Sequence, residues 1–233
     1  MADLSDFPIT TRWTPTDPNV IQLFSFPTPN GVKISIALEE MGLRYEPHLV
    51  TLSDTDVRSP EFLSLNPNNK IPAIIDPNGP NGPIGLWESG AILLYLGEKS
   101  GKFIGSNAAD KAEITKWLMF QMGGLGPMFG QMGFYYKFAG KDIEDPRPRN
   151  KYRDESKRLL AVLDGALEGK DWIAGDYSIA DMAIAPWLNA LSYYGTRDAV
   201  EFEKLKNVPV YLDRFLARPA VTRGLNIPPR PAA

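Results

Sequence analysis

The chain of 233 residues contains no cysteine. Disulfide frameworks, thiolate metal sites, Cys-x-x-Cys redox pairs and cysteine nucleophiles are therefore excluded, and any thiol chemistry must use a thiol that a ligand brings. Histidine is scarce as well: the single one, His48, sits in a strand-like run with no cluster of carboxylates at ligand spacing, so a structural role and no metal centre are expected. Positive charge is not in excess. Lys and Arg number 25 against 28 Asp and Glu, for a net charge of -3, and the basic residues are scattered among acids, so no nucleic-acid partner is expected. No apolar run approaches the roughly 18 to 20 residues that cross a bilayer. The opening MADLSDFPITTRW is acidic and interrupted rather than basic then apolar, so neither a membrane association nor a signal peptide is expected, and the cytoplasm is the expected location.

What is present is enough apolar side chain for one large domain or two small ones, two being expected, with 43% hydrophobic and 23% charged residues. Residues 1–19 are polar, proline-containing and aperiodic, and read as an extension that either wanders or packs across the body. Ile21 to Phe26 then alternates like a strand buried on at least one face. Ile34, Ala37, Leu38 and Met41 follow at i, i+3, i+4 and i+7, a helix that Gly42 stops. RYEPHLVTL is the next extended run, which makes a βαβ unit. KIPAIIDPNGPNGPIGLWE reads as a hairpin whose elongated turn holds two Pro-Asn-Gly copies, its second strand running from Ile84 to Trp87, and SGAILLYLGEKSG reads as a helix. Beyond residue 104 strand signals cease. Helical patterns cover 110–138, interrupted by GGLGPMFG, then 150–167, 178–194, which Ser178 and Asp181 open as a capping box, and 208–217. The expected fold class is α/β plus all-α: a βαβ-ββα domain over 20–104 and a helical bundle over 105–233.

Three stretches could carry chemistry. In PTPNGVKI, Thr28 is a favoured N-cap, Pro29 fits the first helical position, and Asn30 and Gly31 fall in the first turn with N–H groups expected to be free. With the helix dipole, that makes an anion site with the Thr28 hydroxyl as an added donor. In WESGAI, Ser89 is again a favoured N-cap that suits a carboxylate, and Glu88 before it suits an ammonium, so the pair fits the end of an amino acid. In NNKIPAI, Pro72 enters a strand at a loop, where backbone groups can pair with an extended ligand. Taken singly, each stretch is equally an ordinary structural feature: a cap, a cap, and a trans proline.

Taken in order, Ile-Pro before the third strand, ESGAI at the last helix of the first domain and YSIADMAIAPW in the second closely resemble the cytosolic glutathione transferases. TPNG, NPNNKIPAI, WESGAILLYL and GGLGPMFGQ resemble in particular the bacterial nu class and its fungal nitrogen-regulator relatives. The resemblance covers residues 20 to about 220 and implies a thioredoxin-like first domain and a homodimer. Carried over position by position, it implies that Thr28 and Asn30 approach the glutathione sulfur as the catalytic pair. Lys70, the backbone of Ile71 and a cis Pro72 would hold the middle of the tripeptide, and Glu88 and Ser89 its γ-glutamyl end. A thiolate at a helix start is stabilised by the dipole and by N–H donors, which raises the reactive fraction near neutral pH. Ser25 is the rival for Thr28, because some classes use a serine at the end of strand one, but alternation puts it on the face of Ile21 and Leu23, where a hydroxyl is structural.

The activity so implied is glutathione-dependent disulfide reduction, with organic peroxide reduction through the same thiolate. The partners are glutathione or glutathione disulfide and a small disulfide, electrophile or peroxide. Two other readings use the same fold: a glutathione-binding regulatory module without turnover, or a conjugase or isomerase acting on one electrophile. WLMFQMGGLGPMFGQMGFYYKF holds four of the seven methionines and suggests Met128, Phe129, Met132 and Tyr135 as the second-substrate wall, although such a stripe is as readily core or a subunit interface. Arg149, Lys151 and Arg153 belong to a solvated helix face.

Overall fold

The computed structural model describes residues 4–230. In chain order a 3-10 turn (Pro8–Thr11) leads to β1 (Ile21–Ser25), α1 (Pro29–Met41), β2 (Tyr45–Leu49), the short helices α2 (Asp54–Val57) and α3 (Pro60–Leu65), β3 (Ala73–Gly79), β4 (Gly82–Trp87) and α4 (Ser89–Ser100). Then come α5 (Ala108–Phe120), a π turn (Gln121–Leu125), α6 (Gly126–Tyr136), α7 (Pro146–Ala166), α8 (Ile179–Tyr194), α9 (Val208–Leu216) and α10 (Pro219–Gly224). The chain divides into two compact units, one running to Gly101 and resuming at Pro219, the other covering Lys102–Arg218.

In the first unit the strands lie in the order β2-β1-β3-β4, with β1 parallel to β2 and antiparallel to β3, and β3 antiparallel to β4. This is the thioredoxin-like arrangement. All five residues of β1 are buried, polar ones included, because a central strand is covered on both faces. Gln22 satisfies its amide there by donating to the carbonyls of Asp17 (2.9 Å) and Val20 (2.8 Å), and its Oε1 lies 2.7 Å from Nε2 of His48. His48 stacks on Phe24 at 4.8 Å, and burial lowers its pKa, so the lone histidine is a neutral packing group. The hairpin is tighter than the sequence suggests. β3 runs through the second Pro-Asn-Gly copy, Gly79 pairs with Gly82, and only Pro80 and Asn81 form the turn. The irregular register between Asp76 and Gly79 absorbs the proline, which cannot donate to the ladder.

The described residues before β1, from Leu4 onward, pack rather than wander. Leu4 and Ile9 are buried in one cluster with Phe24, Val50 and Phe62, and the Trp13 indole donates to the Leu49 carbonyl at 2.9 Å. The backbone N–H groups of Thr16 and Asp17 donate to the Glu46 carboxylate at 2.9 and 2.8 Å. The chain's last described helix also joins this unit. α10 packs on α1, where Ser35 donates to the Gly224 carbonyl at 2.6 Å and Arg223 pairs with Glu39 at 2.6 Å. A side chain at Gly224 would lie 2.7 Å from the Ile36 backbone, so only glycine allows that approach. The sequence reading carried the helical part to 233; packing ends it at Arg218.

In the second unit the glycine-rich interruption is realised as a π turn between α5 and α6, so the helix direction continues without a loop. α7 begins at Pro146, before the expected 150, because Asp145 caps it by accepting from the Arg147 N–H at 3.0 Å and prolines tolerate the first turn. α8 starts on the expected capping box, with the Ser178 and Asp181 side chains each accepting from the other's end of the turn. No described helix is long and apolar enough to cross a membrane.

Candidate functional site

Two helix starts in the first unit frame the candidate site. At the first, Thr28 is extended (φ -100°, ψ 168°) and caps α1, its Oγ1 accepting from the Gly31 N–H at 3.2 Å. The expectation that this N–H is free is therefore corrected: the cap consumes it. The bond uses a lone pair of Thr28 Oγ1, so the hydroxyl hydrogen of Thr28 is left to donate elsewhere. Thr28 and Asn30 are half-buried. Gly31 is required by closeness, since a Cβ there would sit 1.9 Å from the Phe26 carbonyl oxygen and 2.6 Å from Ser25 Oγ. Ser25 lies fully buried beneath that turn, its hydroxyl 3.4 Å from the Phe26 carbonyl, which fits structure and not catalysis.

The second start departs from the sequence reading. The N-cap of α4 is Glu88, not Ser89, and the Glu88 side chain makes no cap bond. Glu88 takes φ 71°, ψ 111°, a region uncommon for a residue with a Cβ, and its side chain is exposed. Ser89 becomes the first helical residue, buried, and its Oγ accepts from Lys33 Nζ at 3.2 Å.

Lys33 was not singled out from the sequence. It is fully buried on α1, and burial pushes its pKa down to about 7, with the Glu88 charge acting the other way. A lysine set inside the apolar run Val32 to Leu38 was the available signal, since lysine is almost never fully buried without a partner. The Lys33–Ser89 bond ties the start of α4 to α1, and the two helices pack together.

Between these elements the chain enters β3 through a cis Ile71–Pro72 bond. Lys70 is exposed, Ile71 and Pro72 are buried, and Asn66 braces the loop by donating to the Lys70 carbonyl while accepting from the Asn68 N–H at 2.9 Å. Thr28 and Asn30, Lys70 to Pro72, and Glu88 with Ser89 thus all sit on the same compact unit, at the ends of elements that neighbour one another through β1, β3, α1 and α4.

The expected second-substrate wall is only partly available. Phe129 and Met132 are wholly buried and α6 packs on α7 and α8, so these two side chains serve packing. Met128 and Tyr135 keep partial exposure, Met128 beside Tyr152 and Lys151 in a surface groove, Tyr135 stacked on Tyr152 at 5.6 Å. Arg153 pairs with Asp154, and Arg149 donates to the Lys141 carbonyl. Among the described residues no group of His, Asp and Glu is arranged to hold a metal.

The family model for the glutathione S-transferase N-terminal domain matches residues 19–98, and that for the C-terminal domain matches residues 130–219. The disulfide-bond oxidoreductase YfcG of Escherichia coli is 42% identical over 209 residues, 88% of this chain and 94% of its own. A glutathione transferase of Pseudomonas putida, crystallised with one glutathione disulfide per subunit, superposes with a TM-score of 0.96 at 56% identity, covering 97% of this chain and 99% of its own. Another, from Burkholderia graminis with two glutathione molecules per subunit, gives 0.97 at 58%, covering 99% and 98%.

Proposed function

The chain belongs to the glutathione S-transferase family, and from that premise we propose that it is a nu-type enzyme that reduces disulfides with bound glutathione. The observation that carries this is the absence of cysteine in a chain 42% identical to a disulfide-bond oxidoreductase. Both exchanging sulfurs must then belong to ligands, and similar structures hold either two glutathiones or one glutathione disulfide per subunit.

On this reading Thr28 and Asn30 meet the sulfur of one glutathione at the start of α1. The Thr28 hydroxyl donates to the thiolate, and the helix dipole favours the negative charge, so the thiol loses its proton nearer neutral pH. The thiolate attacks one sulfur of the disulfide substrate; the new S–S bond forms as the old one breaks, and the leaving thiolate takes up a proton. A second glutathione repeats the exchange on the mixed disulfide, which yields glutathione disulfide and the second product thiol. Holding both glutathiones at one site makes that second attack effectively unimolecular. Lys70, Ile71 and Pro72 hold the middle of the tripeptide along the entry to β3, and Glu88 and Ser89 hold its zwitterionic end. The same thiolate would cleave the O–O bond of an organic hydroperoxide, releasing the alcohol, with the second glutathione resolving the oxidised sulfur.

Calorimetric titration is expected to give two reduced glutathiones, or one glutathione disulfide, per chain; a single reduced glutathione at saturation would contradict the paired-sulfur mechanism. Asn30→Ala is expected to lower kcat about tenfold with a smaller change in the affinity for glutathione, because contacts to the sulfur matter most in the transition state. Unchanged turnover would remove Asn30 from the chemistry. A homodimer, implied by the family, would show on light scattering as twice the chain's 25.9 kDa, and a monomer mass would contradict it.

A further inference from the structure

Asn66 is a polar residue only 2% exposed, and backbone groups engage both ends of its side-chain amide. Its Oδ1 accepts from the Asn68 N–H at 2.9 Å, and its Nδ2 donates to the Lys70 carbonyl. One partner can only donate and the other only accept, so the amide has a single satisfied orientation. The residue itself is fixed at the end of α3: its N–H donates to the Phe62 carbonyl at 2.9 Å, and its carbonyl accepts from the Asn69 N–H at 3.1 Å. Phe62 in turn is fully buried in the cluster that includes Leu4 and Ile9.

The bond to Lys70 also orients a peptide. The Lys70–Ile71 bond is not among the cis bonds of the described residues, and in a planar trans peptide the C=O and the following N–H point in opposite directions. With the Lys70 carbonyl turned onto the buried Asn66, the Ile71 N–H is turned away from it, and among the described residues no group accepts from that N–H. We propose that Asn66 is the positioning residue for the backbone contact to the ligand: by holding the Lys70 carbonyl it aims the Ile71 N–H at a carbonyl in the middle of the tripeptide. The inference rests on the glutathione reading of the Lys70–Pro72 segment.

Two substitutions separate this role from a purely structural one. In Asn66→Asp the ionised carboxylate keeps the acceptor for the Asn68 N–H but has no hydrogen for the Lys70 carbonyl, and it sets a charged oxygen against that carbonyl oxygen. A half-turn of the Lys70–Ile71 peptide relieves the clash by bringing the Ile71 N–H onto the carboxylate, away from the ligand. Asn66→Ala loses both bonds but supplies no group that draws the N–H inward. If Asn66 only braces the loop, alanine is the more harmful change for binding; if it aims the N–H, aspartate is.

The test is the affinity for ophthalmic acid, which keeps the backbone of glutathione and has an ethyl group in place of the thiol-bearing side chain, at pH 7.5 for the wild type, Asn66→Asp and Asn66→Ala. The dissociation constant is expected to rise on the order of tenfold in Asn66→Asp and about threefold in Asn66→Ala. In disulfide reduction the KM for glutathione should rise in step while kcat at saturation stays within about twofold, because a backbone contact made equally before and during the exchange is uniform binding. In amide NMR of the wild type, the Ile71 resonance should move as ophthalmic acid binds. Unchanged affinity in Asn66→Asp, a loss in Asn66→Ala that equals or exceeds it, a loss confined to kcat, or an Ile71 amide that stays in place as ligand binds would overturn the proposal while leaving glutathione binding intact. The NMR result needs no variant and decides the matter even if neither variant folds. Binding of glutathione without ophthalmic acid would also overturn the proposal alone, and failure of the wild type to bind either would overturn it together with the glutathione reading.

Discussion

Thr28→Val is expected to lower turnover in glutathione-dependent disulfide reduction by about 10- to 100-fold at pH 7, the range of a lost hydrogen bond to a charged group. Valine keeps the volume and β-branching and removes only the oxygen. On the proposed mechanism that oxygen does two jobs: its lone pair accepts from the Gly31 N–H, and its hydrogen donates to the glutathione sulfur. Loss of the cap costs about 1 kcal/mol, which a domain stable by about 5–15 kcal/mol tolerates, so the variant remains folded. Loss of the donor acts on the charged form of the thiol. A donor to the thiolate lowers the pKa, so removing it raises the pKa and shrinks the thiolate fraction near neutral pH. The pH–rate curve should therefore move to higher pH, with the two proteins converging where glutathione ionises unaided. A parallel, unshifted loss at every pH would mean that the hydroxyl only caps the helix.

Asp181→Ala is expected to destabilise the protein by about 3–5 kcal/mol at pH 7, because it strands buried donors that pointed at a carboxylate. Asp181 is fully buried, and its Oδ1 accepts from the Ile173 N–H at 3.0 Å while Oδ2 accepts from the Ser178 N–H at 2.9 Å and the Ser178 hydroxyl at 3.1 Å. Burial pushes this carboxyl up from 3.8 to about 6, against the lowering pull of those N–H groups. The sign follows from linkage: a folded value above the unfolded one contributes stability that is full below about 4 and lost as pH rises through about 6. The alanine variant lacks that contribution, so its deficit in chemical denaturation should be larger at pH 4 than at pH 7. A deficit under 1 kcal/mol, or one that grows from pH 4 to pH 7, would contradict this account of α8.

The site was most legible where its logic is local. Thr28, Pro29 and the glycine two residues on spell a capped helix start, and Ser178 with Asp181 spells a capping box; both form as expected because each involves atoms within a single turn. The α4 start was misplaced by one residue for the opposite reason. Ser89 has the local preference of an N-cap, but a lysine 56 positions earlier in sequence takes its hydroxyl, and Glu88 adopts the cap position at positive φ instead. Lys33 went unnoticed on the same ground: a buried cation makes sense only beside a partner that the linear sequence keeps distant. Two short helices were missed for different reasons. α2 offers only the four residues Asp54–Val57, too few for a period, whereas Ser59, Pro60 and Glu61 carried a start signal for α3 that was readable. The extension's place against Phe24 and Phe62 depended on which apolar surface the sheet left uncovered, which no local pattern reports.

Glutathione-dependent reduction of a small symmetrical disulfide, followed through NADPH consumption by added glutathione reductase, tests the central claim most directly. The account predicts turnover well above the uncatalysed exchange, in a protein with no cysteine of its own, lowered by Asn30→Ala and more steeply by Thr28→Val. A rate equal to the background, with glutathione bound, would contradict it.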